Sequence, residues 1–205
     1  MARDDERRAR ASETPIVGGL PELPGILAVM QLAPALALHL RGLADVLLVK
    51  DFPGATLSRS DRELLATAVS AANDCFYCMD SHGSFAAELL LRATGARQDP
   101  VIDAMKTGGV EGLSARLAAL VSLARTVQRR ALDLTSADVA QAKAAGASDG
   151  DIQLAILIAA GFSMYNRMVD GLRTTTPPSA EAFGDRARQI ADHGYSSPGV
   201  SAVPR

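Results

Sequence analysis

The chain has 205 residues, enough for one domain with a full core. Its 21 Lys and Arg against 23 Asp and Glu leave a net charge of -2, without the strongly basic character that nucleic-acid binding needs. At 48% hydrophobic it is too apolar for general disorder, and 4% aromatic content beside many Ala and Leu excludes a β-sandwich.

Residues 1–24 carry charges of both signs, then Gly18-Gly19, Pro21 and Pro24, and read as a flexible arm. No apolar segment of the signal-peptide kind follows the charged start, so the expected compartment is the cytoplasm. Residues 23–40 lack formal charge but contain Pro24, Gly25, Gln31, Pro34 and His39. They only just reach spanning length and are read as core helix broken at Pro34, not as a membrane span. Two helical pieces are predicted, near 26–32 and 35–49, with Pro34 in the first turn of the second. Ser60-x-x-Glu63 has capping-box spacing before the apolar run from Leu64 and predicts the next helix start. Asn73 and Asp74 are good N-cap types for a helix holding Cys75 and running to about residue 93, closed by Gly95.

A short helix is predicted over 100–106, ended by Gly108-Gly109. Residues 114–130 place Leu117, Leu120, Val121 and Ala124 on one helical face. Thr135-x-x-Asp138 opens another helix, closed by Gly146. Ser148-x-x-Asp151 opens a last one, apolar nearly all round to about Leu172, which marks a central buried element. Thr174-Thr-Thr-Pro-Pro stops it. The expected architecture is all-α: a single helical domain over residues 25–173, the arm 1–24, and a polar C-terminal extension over 174–205.

The chemistry concentrates between Glu63 and His82. Cys75 and Cys78 are the only cysteines, too few for a disulfide framework. On one helix Cys75 and Cys78 stand at i, i+3, and Cys78 and His82 at i, i+4, so all three share a face. A helix N-terminus favours thiolate over thiol, and an imidazole one turn on can accept the thiol proton. The helix dipole favours Cys75 as the more acidic thiol. Proximity to His82 favours Cys78, and a neighbouring base acts more directly. Glu63 lies ten residues before Asn73 and His82 eight after Asp74. At about 1.5 Å per residue both sit roughly 12–15 Å from the joining turn, so antiparallel helices bring carboxylate and imidazole together. A carboxylate orienting a histidine that activates a nucleophile generalises the catalytic-triad logic.

The pattern Glu63-x11-Cys75-x2-Cys78-x3-His82 resembles the signature of the alkylhydroperoxidase D branch of the carboxymuconolactone decarboxylase superfamily. Gly83 and Met164-Tyr-Asn-Arg-Met-Val-Asp-Gly171 also look like its peroxidase-related members, and by helix order the resemblance covers residues 26–172. Phe76-Tyr77 stands between the cysteines where some members carry a polar residue or a histidine. The resemblance implies a helical bundle of the alkylhydroperoxidase D-like type, a homo-oligomer (trimer or hexamer), and a thiol-dependent peroxidase without cofactor or metal. By the same analogy Cys78 attacks an organic hydroperoxide and becomes a sulfenic acid, and Cys75 resolves it as a disulfide. His82 is the base, Glu63 orients it, and an external thiol or dithiol restores the pair. The implied partners are thus a small hydroperoxide and that reductant, with no nucleic acid and no membrane. Such chemistry requires sulfurs open to solvent and an acid aimed at the ring.

Several rival assignments remain open on sequence. The cysteines suit two small buried apolar residues, or zinc ligands with His82 and either Glu63 or His39. Glu63 suits a capping partner for Ser60. Phe76, Tyr77 and Met79 suit core or interface better than a substrate channel. Asn166, Arg167 and Asp170 suit a solvated face better than a buttress, and His39 and His193 show no partner. At the level of function the alternatives are a decarboxylase-type lyase, which needs no redox dithiol, and a non-enzymatic helical redox sensor.

Overall fold

Small hydroxyl residues start four of the helices of this computed structural model, which describes residue 15, residues 17–177 and residues 179–196. Ser114, Thr135 and Ser148 each accept the amide three residues on, and Thr135–Asp138 and Ser148–Asp151 close full capping boxes. The helices are α1 (Ile26–Leu32), α2 (Pro34–Leu48), α3 (Arg59–Ala72), α4 (Phe76–Thr94) and α5 (Asp99–Thr107). After them come α6 (Ala115–Arg130), α7 (Ser136–Ala144), α8 (Asp149–Gly171) and α9 (Gly184–His193). Short 3-10 turns occupy Ala131–Asp133 and Ala180–Phe183. Among the described residues no strand forms, and a single bridge joins Pro24 to Thr175. The chain is all-α.

Two helix starts differ from the sequence expectation. The cap of α3 is Ser58, with Asp61 closing the box, and not Ser60 with Glu63. The Ser60 hydroxyl instead meets that of Ser58 at 2.9 Å, and Glu63, one turn further in, is left for the core. Helix α4 begins at Phe76, because Asn73 still belongs to the end of α3 and Asp74 takes φ 59. Aspartate tolerates that left-handed conformation better than most residues, and it turns the chain through a tight corner. Cys75 then becomes the N-cap, its carbonyl accepting from the Met79 amide at 2.9 Å.

Helices α3 and α4 pack against each other as an antiparallel pair, and α8 lies across α3 and α6. By length and composition α8 is the one helix among the described residues apolar enough to cross a membrane, and half of its apolar window is buried inside the protein. The apolar segment 23–40 divides into α1 and α2 at Ala33-Pro34, where proline occupies the first helical position. At the start of α8, a Cβ on Gly150 would stand 2.2 Å from the Gly54 carbonyl carbon, so only glycine admits the loop before α3 this close. Asp151 holds that loop by accepting the amides of Thr56 (2.6 Å) and Leu57 (3.1 Å).

The C-terminal expectation needs the larger correction. Residues 179–196 are no loose extension; α9 packs along α4. Phe183, Ala187, Ile190 and Ala191 recur at helical spacing and face inward. Arg59 ties the end of α9 down, donating to the carbonyls of Ile190 (2.7 Å) and Ala191 (2.8 Å). Of the expected flexible arm, residues 1–14 and 16 lie outside the described residues, as do 197–205 of the extension.

Candidate active site

Helices α3 and α4 bring Glu63 and His82 together, as antiparallel geometry requires. His82 Nδ1 lies 2.7 Å from Glu63 Oε2, with Glu63 1% exposed. A carboxylate in this position holds the proton on Nδ1 and leaves Nε2 as the basic nitrogen. The imidazole is clamped by aromatic edges: Phe162 at 4.6 Å between ring centroids and Phe85 at 5.4 Å, both nearly perpendicular to it.

A fifth residue joins the site from outside the sequence pattern. Tyr195, just beyond α9, donates its hydroxyl to Glu63 Oε1 at 2.6 Å and stands 3.4 Å from His82 Nδ1. Nothing in the sequence motif marks it. The amphipathic spacing of Phe183, Ala187, Ile190 and Ala191 was the available signal that the C-terminal segment returns to the body.

Both cysteines are free and buried, Cys75 at 0% and Cys78 at 3% exposure. This contradicts the expectation of sulfurs open to solvent. Cys75 is drawn in by the corner at Asp74, its amide bonding the Ser70 carbonyl at 3.0 Å, and both join the hydrophobic core. The hydrogen bond that Cys75 makes with Cys78, and then its burial, push the Cys75 thiol well above the usual range. As the N-cap, Cys75 is the sulfur that stands at the unpaired helix amides, and a backbone bond from Cys78 opposes the rise without reversing it. The His82 contacts to Glu63 and Tyr195 both run through Nδ1, and neither goes to a sulfur.

The turn ahead of Cys75 is buttressed from α8. Asn73 donates to Asn166 at 2.8 Å and accepts from Gln128 at 2.8 Å, and Asn166 donates to Ser70 at 3.1 Å. Asn166 is 1% exposed, which corrects the solvated-face reading for that residue. Arg167 does stay at the surface, bonded to the Ser163 carbonyl of its own helix. Asp170 is exposed, in keeping with the solvated-face reading, but its carboxyl reaches Cys75; partial desolvation pushes it up to about 6, the bond with Cys75 opposes this, and the like charge of Asp74 adds to it.

The Asp170 shift carries a stability sign. From pH 4 to 6 the folded chain keeps a proton on Asp170 that the unfolded chain releases, so ionisation costs stability as pH rises through that window. Because the Asp170 side chain is largely exposed and screened by solvent, Asp170→Asn is expected to raise the melting temperature at pH 7 only slightly and to leave it unchanged below about pH 4. Melting curves of both proteins from pH 4 to 8 check this, and parallel pH profiles contradict it.

Among the described residues no three His, Cys, Asp or Glu side chains are grouped to hold a metal ion. Two cavities border the site. One, about 40 Å³ and lined by Met30, Tyr77, Ser81, Phe85 and Tyr195, has room for a water or two. The other is a cleft of about 810 Å³ that reaches Asp74, Phe76 and Met79 on the flank of the cysteine turn, with Asp103, Lys106 and Arg125 opposite. Phe76 and Met79 thus edge a cleft while remaining largely buried, and Tyr77 is core, packed edge-on to Phe183 at 5.4 Å.

Comparison with known proteins bears on residues 38–110, which match the model of the carboxymuconolactone decarboxylase family. The match covers about a third of the chain. Within the matched segment stand Glu63, Cys75, Cys78 and His82, whereas Tyr195, Asn166 and Asp170 come from outside it. Two solved structures share the fold. One is described as an alkylhydroperoxidase AhpD core, an uncharacterized peroxidase-related protein from Ralstonia eutropha JMP134. It is 23% identical, with a TM-score of 0.68 over 79% of this chain and 81% of that one. The other is an uncharacterized peroxidase-related protein from Silicibacter sp. TM1040. It is 20% identical, with a TM-score of 0.64 over 82% and 92% of the two chains. A search of curated proteins finds no significant match.

Proposed function

We propose that this protein is a member of the carboxymuconolactone decarboxylase superfamily and a thiol-dependent peroxidase that reduces organic hydroperoxides through the Cys75–Cys78 dithiol. The observation that carries this reading is the buried Glu63–His82 contact at 2.7 Å, which places a carboxylate-held imidazole one helical turn from Cys78. The Cys78 thiolate attacks the terminal hydroperoxide oxygen; an S–O bond forms, the O–O bond breaks, and the departing alkoxide takes a proton from the His82 imidazolium. Cys75, whose raised thiol pKa keeps its proton at rest, then attacks the sulfenic sulfur. The S–S bond forms, the S–O bond breaks, and water leaves with that proton. An external thiol or dithiol reduces the disulfide and is itself oxidised.

Burial of both sulfurs makes a local opening part of this cycle, and the cleft bordered by Phe76 and Met79 is the nearest approach. On the same reading the protein is cytoplasmic, a compartment that keeps such thiols reduced, and a trimer or hexamer. Exposed Leu36, Leu38, Leu43 and Val46 on α2 support association between copies. The sealed dithiol favours one second reading, a redox sensor that oxidises once without turning over.

Consumption of cumene hydroperoxide, followed with dithiothreitol, lipoamide or thioredoxin as donor, separates the two. Many equivalents consumed per chain are expected. Consumption that stops at one equivalent supports the sensor, and none at all removes both readings.

A further inference from the structure

The C-terminal segment beyond α9 is held at its backbone and delivers one side chain. Asp45, a buried carboxylate on α2, accepts the amides of Tyr195 (2.6 Å) and Ser196 (3.0 Å). Gly194 makes the approach possible: it takes φ 72, and a Cβ there would stand 2.9 Å from Asp45 Oδ1. With the end of α9 also gripped by Arg59, the Tyr195 ring is pinned between Phe85 and His82, its hydroxyl on the Glu63 oxygen that His82 does not use.

We propose that Tyr195 is a positioning residue of the relay, acting through Glu63 to set how tightly the Glu63–His82 pair holds a proton. The inference rests on the peroxidase reading for its consequence in turnover, although the coupling itself needs no peroxide. A hydrogen bond to a carboxylate favours the ionised form. Tyr195 therefore draws negative charge away from the oxygen facing His82, so the imidazole releases its proton at lower pH than Glu63 alone would allow. Burial, and then the Glu63 charge, push the phenol well above its usual range, so across the working pH Tyr195 only donates. The charged and titratable groups facing this hydroxyl are Glu63 and Arg59 from α3, His82 from α4 and Arg186 from α9. Arg41, Tyr77 and Tyr165 line the small cavity beside it. Tyr195 is thus the donor seen on Glu63 Oε1 among the described residues.

The test is Tyr195→Phe in the full chain, which removes one oxygen and keeps the ring. Histidine NMR, with the His82 signal assigned by its loss in His82→Gln, is expected to show the apparent pKa of the pair rising by about one unit. The acid limb of kcat/KM should move up by the same amount, a roughly tenfold loss on that limb, while the high-pH plateau recovers. A merely structural role lowers the plateau and leaves the His82 titration in place, and that result overturns the proposal. Should Tyr195→Phe not fold, 3-fluorotyrosine at position 195 keeps size and hydroxyl but is a stronger donor. The shift then reverses sign, and no shift is again fatal. If wild type shows no turnover yet its His82 pKa moves in Tyr195→Phe, the peroxidase reading fails and the relay role stands. Turnover without that shift removes the relay role and leaves the peroxidase reading in place.

Discussion

Cys78→Ser abolishes hydroperoxide turnover, by a factor on the order of 10³ or more, because a hydroxyl at neutral pH is a far poorer nucleophile than a thiol next to a base. Cys75→Ser gives a different result: one round of peroxide reduction, then arrest with a sulfenic acid on Cys78 that dimedone traps. The asymmetry follows from the dithiol geometry. Cys75 is held as a thiol by its bond with Cys78 and by burial, which leaves Cys78, one helical turn before His82, as the attacking sulfur. Both positions are buried, so circular dichroism should first establish that each variant folds. Peroxide consumption by Cys78→Ser, or dimedone labelling at Cys75 in that variant, reverses the assignment.

Phe162→Ala is expected to cost about 3–5 kcal/mol of stability, a fall in melting temperature of roughly 6–20 °C for a domain of this size. Phe162 is 2% exposed at the centre of α8, and its ring fills the space between His82 and Tyr165. Truncation leaves a cavity that helices packed on several sides cannot close. It also frees the imidazole, so activity should fall more steeply than the folded fraction does. Phe162→Leu keeps most of the volume and should lose about 1.5 kcal/mol or less. Equal losses for the two variants in thermal melts contradict a packing origin.

Most helices could be read from the residues because their signals are local. Ser114, Thr135 and Ser148 cap where their spacing predicts, and Gly95 closes α4 in the left-handed conformation. Ser58-x-x-Asp61 caps α3 where Ser60-x-x-Glu63, the same signal two residues on, was expected. Only the first fits once Glu63 is occupied by His82 and Tyr195. Asn166 reads as polar surface on α8 by sequence, and only the approach of Asn73 and Ser70 turns it into a buried strut.

Residue order by itself determined an all-helical chain and the register that puts Cys75, Cys78 and His82 at one end of a helix with an acid on its antiparallel neighbour. Those features follow from spacings of three, four and about twenty residues, which helix pitch converts directly into distance. Tertiary structure alone decided that both sulfurs are closed off and that Tyr195 completes the acid–imidazole pair. Tyr195 is 132 residues from Glu63 and 113 from His82, and no period or cap encodes a contact across that separation. It arises because Arg59, Asp45 and Gly194 return the C-terminal segment to the site.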